Sequence, residues 1–218
     1  MHNFDRNGNF SHALLERLIH YFYFVSERLE AGSGETVTST QIARMVHMDD
    51  TLVRKDLAAI GVRGHPRVGF RSAEVYEAIR KVLGFDQPFR GVIIGIGHLG
   101  SAMASYYGFS RYGLEIAGLF DNDPVKIGLT SGDLVILPLD RLELVTRERD
   151  VRVAILTVPP DAAQEVAERA IAAGIKTLWN FASANLIIPE DVFVRHEHIS
   201  VGLAELSYHL KRDSKKQN

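Results

Sequence analysis

The chain of 218 residues contains no cysteine. This absence excludes disulfides, thiolate ligands for zinc and a thiol redox switch from this sequence. No apolar run approaches the roughly 20 residues that a membrane-spanning helix needs. The N-terminus also lacks the charged region and apolar core of a secretory signal. From these absences we expect a cytoplasmic protein with no membrane partner.

A large excess of charge is missing as well. The net charge is −2 at pH 7, which alone argues against a nucleic-acid partner. The charges are unevenly placed, however: residues 51–71 hold one acid, Asp56, against five basic residues, Arg54, Lys55, Arg63, Arg67 and Arg71. Such a patch is typical of a phosphate-binding surface and equally typical of a solvated helix and loop. Charge alone therefore leaves both interpretations open.

The most informative motif is Gly95-Ile-Gly-His-Leu-Gly100, whose glycines have the spacing G-x-G-x-x-G. The β-branched run Val92–Ile94 before it predicts a buried strand, and residues 102–107 after it are compatible with a helix. A strand, a glycine turn and a helix in this order form the context in which the motif binds the pyrophosphate of a dinucleotide.

A second predicted strand, Leu114–Phe120, ends at Asp121. In dinucleotide-binding folds an acid about twenty residues after the glycine turn hydrogen-bonds the adenosine ribose. Asp121 has this position, and the pair of signals favours dinucleotide binding. The alternative is a Rossmann-like domain whose nucleotide site is empty or takes a different ligand.

The N-terminal part of the chain predicts a small helical domain. An apolar stripe at three- and four-residue spacing predicts a helix over residues 11–30, and it consists of Leu14, Leu18, Phe22, Val25 and Leu29. A short helix over about residues 40–46, capped by Thr38 or Ser39, and another from Asp50 or Thr51 to Ile60 are joined by a tight turn. This pattern predicts a helix-turn-helix.

In a helix-turn-helix, the start of the second helix reaches base edges in the major groove, and here it carries Arg54 and Lys55. The glycine-punctuated, basic segment Gly61–Phe70 predicts a hairpin, or wing, along the DNA backbone or minor groove. Ser72 is expected to cap a helix over residues 73–83, and residues 84–90 are expected to link two domains.

From Gly91 onward the pattern predicts strands that alternate with helices, which is typical of a parallel sheet covered on both faces. The predicted strands are 92–94, 114–120, 134–136, 151–158, 177–181 and 192–196. Asp161 and Gln164 predict a capped start for a helix over residues 162–173. A last helix over about 200–211 has one apolar face, which makes it a candidate for pairing with another subunit: Leu203, Leu206 and Leu210.

These segments, taken in order, resemble the Rex family of bacterial redox-sensing transcriptional repressors over almost the full chain. The resemblance is carried by five segments: Thr51-Leu-Val-Arg-Lys-Asp-Leu57, Gly95–Gly100, Phe120-Asp-Asn-Asp-Pro-Val-Lys-Ile-Gly128, Ala154-Ile-Leu-Thr-Val-Pro159 and Gly174–Ala182. It implies an α/β fold class, with an N-terminal winged-helix domain (1–85), a C-terminal Rossmann domain (86–199) and a domain-swapped terminal helix with a tail (200–218).

The resemblance also implies the function. Members are homodimers that bind a palindromic double-stranded DNA operator, release it when NADH binds and so sense the NADH/NAD+ ratio. The implied cofactor is therefore NAD(H). A paralogue that answers another nucleotide, such as coenzyme A, or answers NADH only weakly, is the alternative.

The chain departs from the family pattern at several positions. Tyr23 stands where members commonly carry an arginine, and Ser200 where they commonly carry an aspartate, so a cross-domain ion pair of the family's sensing mechanism is missing at both ends. We expect Ser200 to cap the last helix, with a hydrogen bond to Tyr23 as the alternative. The wing reads Gly64-His-Pro-Arg67 in place of Gly-Lys-Arg-Gly.

The candidate site residues follow from the motifs and the resemblance together. Those expected to bind the cofactor are Gly95, Ile96, Gly97, His98, Leu99, Gly100, Tyr106, Asp121, Thr157, Val158, Pro159 and Asn180. Those expected to contact DNA are Thr51, Arg54, Lys55, Arg63, His65, Arg67 and Arg71. Tyr106 is expected on the helix after the glycine turn, facing either the core or the nicotinamide.

A nicotinamide dehydrogenase is the rival class. Such an enzyme needs a substrate domain and an acid or base at the hydride acceptor, and the sequence offers neither after its Rossmann strands. We therefore expect no catalytic residue. His196 and His198 alternate on a strand, but no carboxylate or thiol cluster joins them, so we expect no metal site.

Overall fold

The computed structural model describes residues 3–4 and 9–214. The chain divides into two compact units, Met1–Gln87 and Pro88–Asn218. None of the described helices is both long enough and apolar enough to cross a bilayer.

The first unit is a winged helix. Its elements in chain order are α1 (His12–Glu30), β1 (Thr36–Val37), α2 (Ser39–Met45), α3 (Asp50–Ala59), β2 (Phe70–Arg71) and α4 (Ser72–Val82). β1 and β2 pair antiparallel, so the segment between α3 and β2 forms the predicted wing. A bridge between His65 and Gly69 closes its tip.

The apolar stripe of α1 forms the centre of this unit. Leu14, Leu18, Phe22 and Val25 are completely buried, and the Phe22 ring stacks on Tyr76 of α4 with centroids 4.9 Å apart. The prediction was wrong for the last member, since Leu29 is exposed. Leu29 lies in the final turn of α1, next to the loop that begins at Ala31.

The helix starts differ from prediction in an instructive way. Thr38 caps α2 and forms a reciprocal capping box with Gln41, as one of the two expected caps. For α3 the cap is Asp49, not Asp50 or Thr51, because its carboxylate accepts the N–H of Thr51 (2.7 Å) and of Leu52 (3.3 Å). Ser72 caps nothing: it is the first residue of α4, and its N–H donates to the carbonyl of Glu35.

The second unit is a Rossmann-like sheet covered by helices. Its elements are β3 (Phe89–Ile94), α5 (His98–Ala104), β4 (Leu114–Asp121), β5 (Thr130–Ser131), β6 (Leu134–Pro138), α6 (Leu142–Arg149), β7 (Val151–Leu156), α7 (Ala163–Ala172), β8 (Thr177–Asn180), β9 (Phe193–His196) and α8 (Ile199–Ser214). The sheet order is β5-β6-β4-β3-β7-β8-β9, and all pairs are parallel except β5 with β6.

The central strands are apolar on both faces because helices cover the sheet on each side. Val92 and Ile94 of β3 belong to one core cluster, together with Phe120. Ile93, between them in sequence, belongs to the cluster on the opposite face with Ile155. β3 lies between β4 and β7, so the chain order reverses at its carboxyl end, which is where ligands bind in sheets of this kind.

Several predicted boundaries in this unit were wrong. β3 begins at Phe89, inside the segment 84–90 that was expected to be a linker. The helix after the glycine turn is His98–Ala104, not 102–107, since Gly97 is its N-cap, so Tyr106 lies beyond the helix. The Asp161–Gln164 box does not form, because the Gln164 amide instead bonds the backbone of Ile187 at both its N–H and its carbonyl (2.9 Å each).

The last helix, α8, projects its apolar residues into solvent. It begins at Ile199, so Ser200 lies inside its first turn and is not the expected cap. Leu203 and Leu206 are each 63% exposed and Leu210 is 73% exposed. Within the part of the chain that the structure describes, this face is uncovered.

Candidate functional site

The glycine turn between β3 and α5 builds one wall of a cleft in the second unit. Gly95 has φ +95°, and a Cβ there would lie 2.7 Å from Val158 Cγ1 and 3.0 Å from the Thr157 carbonyl. A Cβ at Gly100 would overlap the Gly95 carbonyl oxygen, so the start of α5 packs directly on the end of β3. Gly97 is different, because nothing lies within 4 Å of its Cβ position. The turn is tight on the protein side and open on the cleft side.

The cleft lies at the carboxyl ends of β3, β4 and β7 and has a volume of about 510 Å³. Its lining combines the glycine turn, polar groups after β4 and an apolar wall from β7 and α7: Ile94, Gly95, Gly97, Asp121, Asn122, Lys126, Leu139, Thr157, Val158, Pro159, Ala162 and Val166. Its size, its mixed lining and its position at the point of reversal suit a nucleotide.

Asp121 connects the turn to the loop after β4. Its carboxylate accepts the N–H of Ile96 (2.7 Å) and of Asp123 (2.8 Å), and the Lys126 ammonium lies 3.0 Å away. Burial opposes ionisation of Asp121, but these donors outweigh it and hold the pKa of the carboxyl below its usual value. An ionised Asp121 therefore borders the cleft at neutral pH.

Thr157 fixes the opposite wall. Its hydroxyl donates to the Gly95 carbonyl (2.7 Å), which ties the end of β7 to the glycine turn. Val158 and Pro159 follow it along the cleft. Of the residues predicted to bind a cofactor, the structure thus brings Gly95, Gly97, Asp121, Thr157, Val158 and Pro159 together.

The other predicted cofactor residues are placed elsewhere. Asn180 is completely buried, and its amide bonds the Ala182 N–H, the Ala184 carbonyl and His196 Nδ1. Tyr106 is 54% exposed and packs edge-on against Phe109. The rest do not line the cleft: Ile96 is buried, His98 and Leu99 are exposed at the start of α5, and Gly100 packs against β3.

Six lining residues are absent from the predicted set: the apolar Ile94, Leu139, Ala162 and Val166, and the polar Asn122 and Lys126. A signal for Lys126 was present, because it stands five residues after Asp121 in a segment rich in turn formers, Asp121-Asn-Asp-Pro. A turn in that segment brings a basic side chain back to the carboxylate.

The first unit carries a groove between α2, α3 and the wing, of about 740 Å³. Four of the residues predicted to contact DNA line it: Arg54, Arg63, His65 and Arg67. Thr51 and Lys55 are exposed on α3 outside the groove, and exposed Arg71 lies 3.8 Å from Glu74. The surface is basic partly because the acid counted in the sequence, Asp56, is completely buried.

Arg54 is held in position by its neighbours. Its guanidinium bonds Asp50 at 2.5 Å, the Thr51 hydroxyl at 3.1 Å and the Ser39 hydroxyl of α2 at 3.3 Å. Asp50 just precedes the segment in which a single acid was counted, so the exposed surface is less purely basic than the sequence indicated.

The wing tip contains a strained residue. The His65 carbonyl accepts the N–H of Val68 (3.1 Å) and of Gly69 (3.0 Å), which makes a tight turn with Pro66 and Arg67 in its middle. Arg67 has φ +65°, a conformation that favours glycine. The turn thus places an arginine at the tip of the wing, in a backbone conformation that is strained for this residue.

No group of three or more His, Asp or Glu side chains within the described residues is arranged to hold a metal ion. His196 and His198 stack in parallel planes with centroids 5.8 Å apart.

Two family models match the chain, "Putative DNA-binding protein N-terminus" over residues 9–58 and "CoA binding domain" over residues 86–184. The protein named redox-sensing transcriptional repressor Rex from Carboxydothermus hydrogenoformans is 39% identical over 201 residues, which covers 92% of this chain and 96% of that protein. Its namesake from Desulforamulus reducens is 40% identical over 198 residues, covering 91% and 94%.

Solved structures agree over both units. RSP, described as a Rex-family repressor, in complex with β-NAD+ and operator DNA, has a TM-score of 0.85 and 31% identity, covering 95% of both chains. RSP in complex with β-NADH has a TM-score of 0.84 and 30% identity, covering 95% of this chain and 98% of that one.

Proposed function

The chain belongs to the Rex family of redox-sensing transcriptional repressors, and from this premise we propose that it represses transcription under control of the NADH/NAD+ ratio. As a homodimer it binds a palindromic operator through residues 1–85 and NAD(H) through residues 86–199, and it releases the operator when NADH binds. The segment 200–218 supplies the dimerisation helix. As a repressor it acts on DNA in the cytoplasm and catalyses no reaction.

The observation that carries this proposal is the cleft at the carboxyl ends of β3, β4 and β7. The open backbone at Gly97 admits a pyrophosphate, and the ionised Asp121 accepts from a ribose 2′-hydroxyl. The apolar wall at Val158 and Val166 suits a base. The same carboxylate repels a 2′-phosphate, so NAD(H) is preferred over NADP(H).

The DNA surface comprises Thr51, Arg54 and Lys55 on α3, and Arg63, His65, Arg67 and Arg71 on and after the wing. Arg54 is the base-reading residue, because three neighbours already fix its guanidinium, so little rotamer entropy is lost on binding. The exposed wing arginines contact phosphate.

Release follows from linkage. NADH displaces DNA only if it binds more tightly to a dimer in which the two α3 helices no longer fit the two half-sites. The coupling is reciprocal, so operator DNA must weaken NADH binding by the factor with which NADH weakens DNA binding.

The alternative is that a nucleotide other than NADH is the ligand. The match of residues 86–184 to the model "CoA binding domain" is the observation that favours coenzyme A. In that case the protein is a Rex paralogue that answers coenzyme A, or answers NADH only weakly.

The test is a DNA-release titration. A duplex operator is first selected from a random library by the protein itself, and NADH, NAD+, NADPH and coenzyme A are then titrated into the labelled complex. NADH should release the DNA at the lowest concentration. Release by coenzyme A alone would replace the proposed ligand, and equal NADH affinity with and without saturating operator would contradict the proposed repressor.

Matched variants separate the two surfaces. Arg54→Ala should abolish operator binding and leave NADH affinity without DNA unchanged. Arg80→Ala, which removes the same charge from α4 away from the groove, should keep operator binding. Asp121→Ala should weaken NADH binding and narrow the preference over NADPH.

A further inference from the structure

Three buried polar side chains join α1 to the helix proposed to read DNA. Asp56 of α3 and Tyr21 of α1 are completely buried, and Arg17 of α1 is 5% exposed. The guanidinium of Arg17 donates to both carboxylate oxygens of Asp56, from Nε to Oδ2 at 2.6 Å and from Nη2 to Oδ1 at 2.8 Å. The Tyr21 hydroxyl donates to Oδ2 at 2.8 Å.

Two further bonds of Arg17 are described, one to α1 and one to Asn3. Nη1 donates to the Ala13 carbonyl (2.9 Å) and Nη2 to Asn3 Oδ1 (3.2 Å). The hydrogen bond from Arg17 to Asp56 raises the pKa of the guanidinium against the opposing effect of burial. Burial and the bond to Asp56 also raise the pKa of the Tyr21 hydroxyl, so it stays protonated and keeps donating.

Stability alone does not account for this arrangement. A buried ion pair gains little over well-packed apolar side chains, because desolvating both charges offsets their attraction. What a two-pronged guanidinium–carboxylate pair adds is direction, since both bonds form only in one relative orientation. The apolar anchors of α3, Val53 and Leu57, are buried too, but apolar contact is not directional.

The guanidinium–carboxylate pair constrains the rotation of α3 about its own axis. With about 3.6 residues per turn, Arg54 and Ala58 each lie about 160° from Asp56, on the opposite side of the helix. Both line the groove that faces the wing. Fixing Asp56 inside therefore determines which side chains α3 presents outside.

We infer that Arg17, Tyr21 and Asp56 are positioning residues for DNA recognition, which hold α3 at the rotation that aims Arg54 at base edges. The inference rests on the proposed function, since it presumes that α3 reads an operator. It assigns a role in sequence discrimination to three residues that touch no DNA.

The decisive variant replaces both members of the Arg17–Asp56 pair and keeps the net charge of the protein. Arg17→Met with Asp56→Leu removes one positive and one negative charge, so non-specific attraction to phosphate and its salt dependence should be unchanged. Apolar replacement of a buried pair commonly preserves stability. Affinities are measured at one salt concentration for the operator selected by the wild type and for a scrambled duplex of equal composition.

We expect the double variant to keep its NADH affinity and its affinity for scrambled DNA, and to lose about tenfold or more in operator preference, the scale of one well-placed base contact. Tyr21→Phe removes one hydroxyl and should lower the preference by a smaller factor. Ser26→Ala is the matched control, because the buried Ser26 hydroxyl donates within its own helix, to the Phe22 carbonyl (2.7 Å).

Each outcome of these measurements either supports or overturns the inference. A folded double variant with the wild-type operator preference overturns the inference and leaves the proposed function intact. If the double variant does not fold, Tyr21→Phe decides, since an unchanged preference overturns the inference and a lowered one, with unchanged scrambled-DNA affinity, supports it. A wild type that prefers no sequence overturns both the proposed function and the inference.

Discussion

The first and last helices of the chain have similar sequence patterns and opposite surroundings. α1 carries leucines and aromatics at three- and four-residue spacing, and its members Leu14 and Leu18 are completely buried in the first unit. α8 carries leucines at the same spacing, yet Leu203 and Leu206 are 63% exposed. The amphipathic pattern identified both helices, but the described residues supply a covering partner only for the first.

The difference shows that an apolar stripe in a sequence indicates a covered helix face but does not identify the element or subunit that covers it. α1 packs against α4 of the same unit, where Phe22 stacks on Tyr76. For α8 the described residues supply no cover, and exposed apolar patches of this kind mark interaction surfaces. A second copy of the chain is the partner that the proposed homodimer supplies, through a self-complementary two-fold interface.

The largest expected effect comes from breaking that proposed interface. Leu206→Asp places a charge in the apolar face of α8 and should convert the dimer to a species of 24.3 kDa, with loss of operator binding. Light scattering after size exclusion measures the mass. Tyr208→Asp, an equally exposed apolar residue on the far side of the helix, should keep the dimer mass. Dimer mass in Leu206→Asp would place the interface elsewhere.

A smaller effect compares single leucines in the monomeric Leu206→Asp background. Leu18→Ala should lower the free energy of unfolding by about 2–5 kcal/mol, because it leaves a cavity in a packed core. Leu203→Ala should change it by less than about 0.5 kcal/mol, as at other solvated positions. Urea unfolding measures both. Equal losses would show that the face of α8 is packed within its own chain.

The sequence predicted the parts of the site that depend on local geometry. The glycine turn could be recognised because Gly95 and Gly100 meet steric demands that no other residue satisfies, and such demands leave a fixed spacing. Asp121 was found because it follows a strand directly. Which candidates line the cleft could not be read from the sequence, because Asn180 ends β8 but its amide bonds within the protein, and Tyr106 lies beyond α5 and is exposed.

Errors at the helix starts have a common physical cause. Asp49, Asp50 and Thr51 are three good capping residues in succession, and only the backbone dihedrals select among them. Gln164 had the spacing of a capping box, but a tertiary bond to Ile187 outcompeted it. Asp56 appeared to be a surface acid because its partners, Arg17 and Tyr21, lie 39 and 35 residues away in the sequence.

The helices α1 and α8 also begin differently. α1 has a local cap, in which the Ser11 hydroxyl accepts the N–H of Leu14 at 3.3 Å. The segment leading into α8 is held by tertiary contacts instead: Glu197 accepts the indole N–H of Trp179 on β8 (3.1 Å) and the Arg195 Nε–H on β9 (3.0 Å). A hydroxyl cap such as that of Ser11 carries no ionisable group, whereas an anchor built on a carboxylate depends on pH.

The smallest expected effect is therefore a pH dependence at the start of α8. Burial opposes ionisation of Glu197, but Arg195 and Trp179 outweigh it and lower the pKa of its carboxyl below the ordinary 4.5. A lowered folded-state pKa contributes stability that is complete above pH 4.5 and is lost as the pH falls through the folded-state value. The difference in unfolding free energy between the wild type and Glu197→Gln should thus be constant near neutral pH and should shrink in acid.

Urea unfolding followed by the fluorescence of Trp179, the only tryptophan in the chain, measures this difference. Glu190→Gln removes the same charge from an exposed residue before β9 and should run parallel to the wild type. A Glu197→Gln difference that stays constant into acid would show that the carboxylate does not anchor the start of α8.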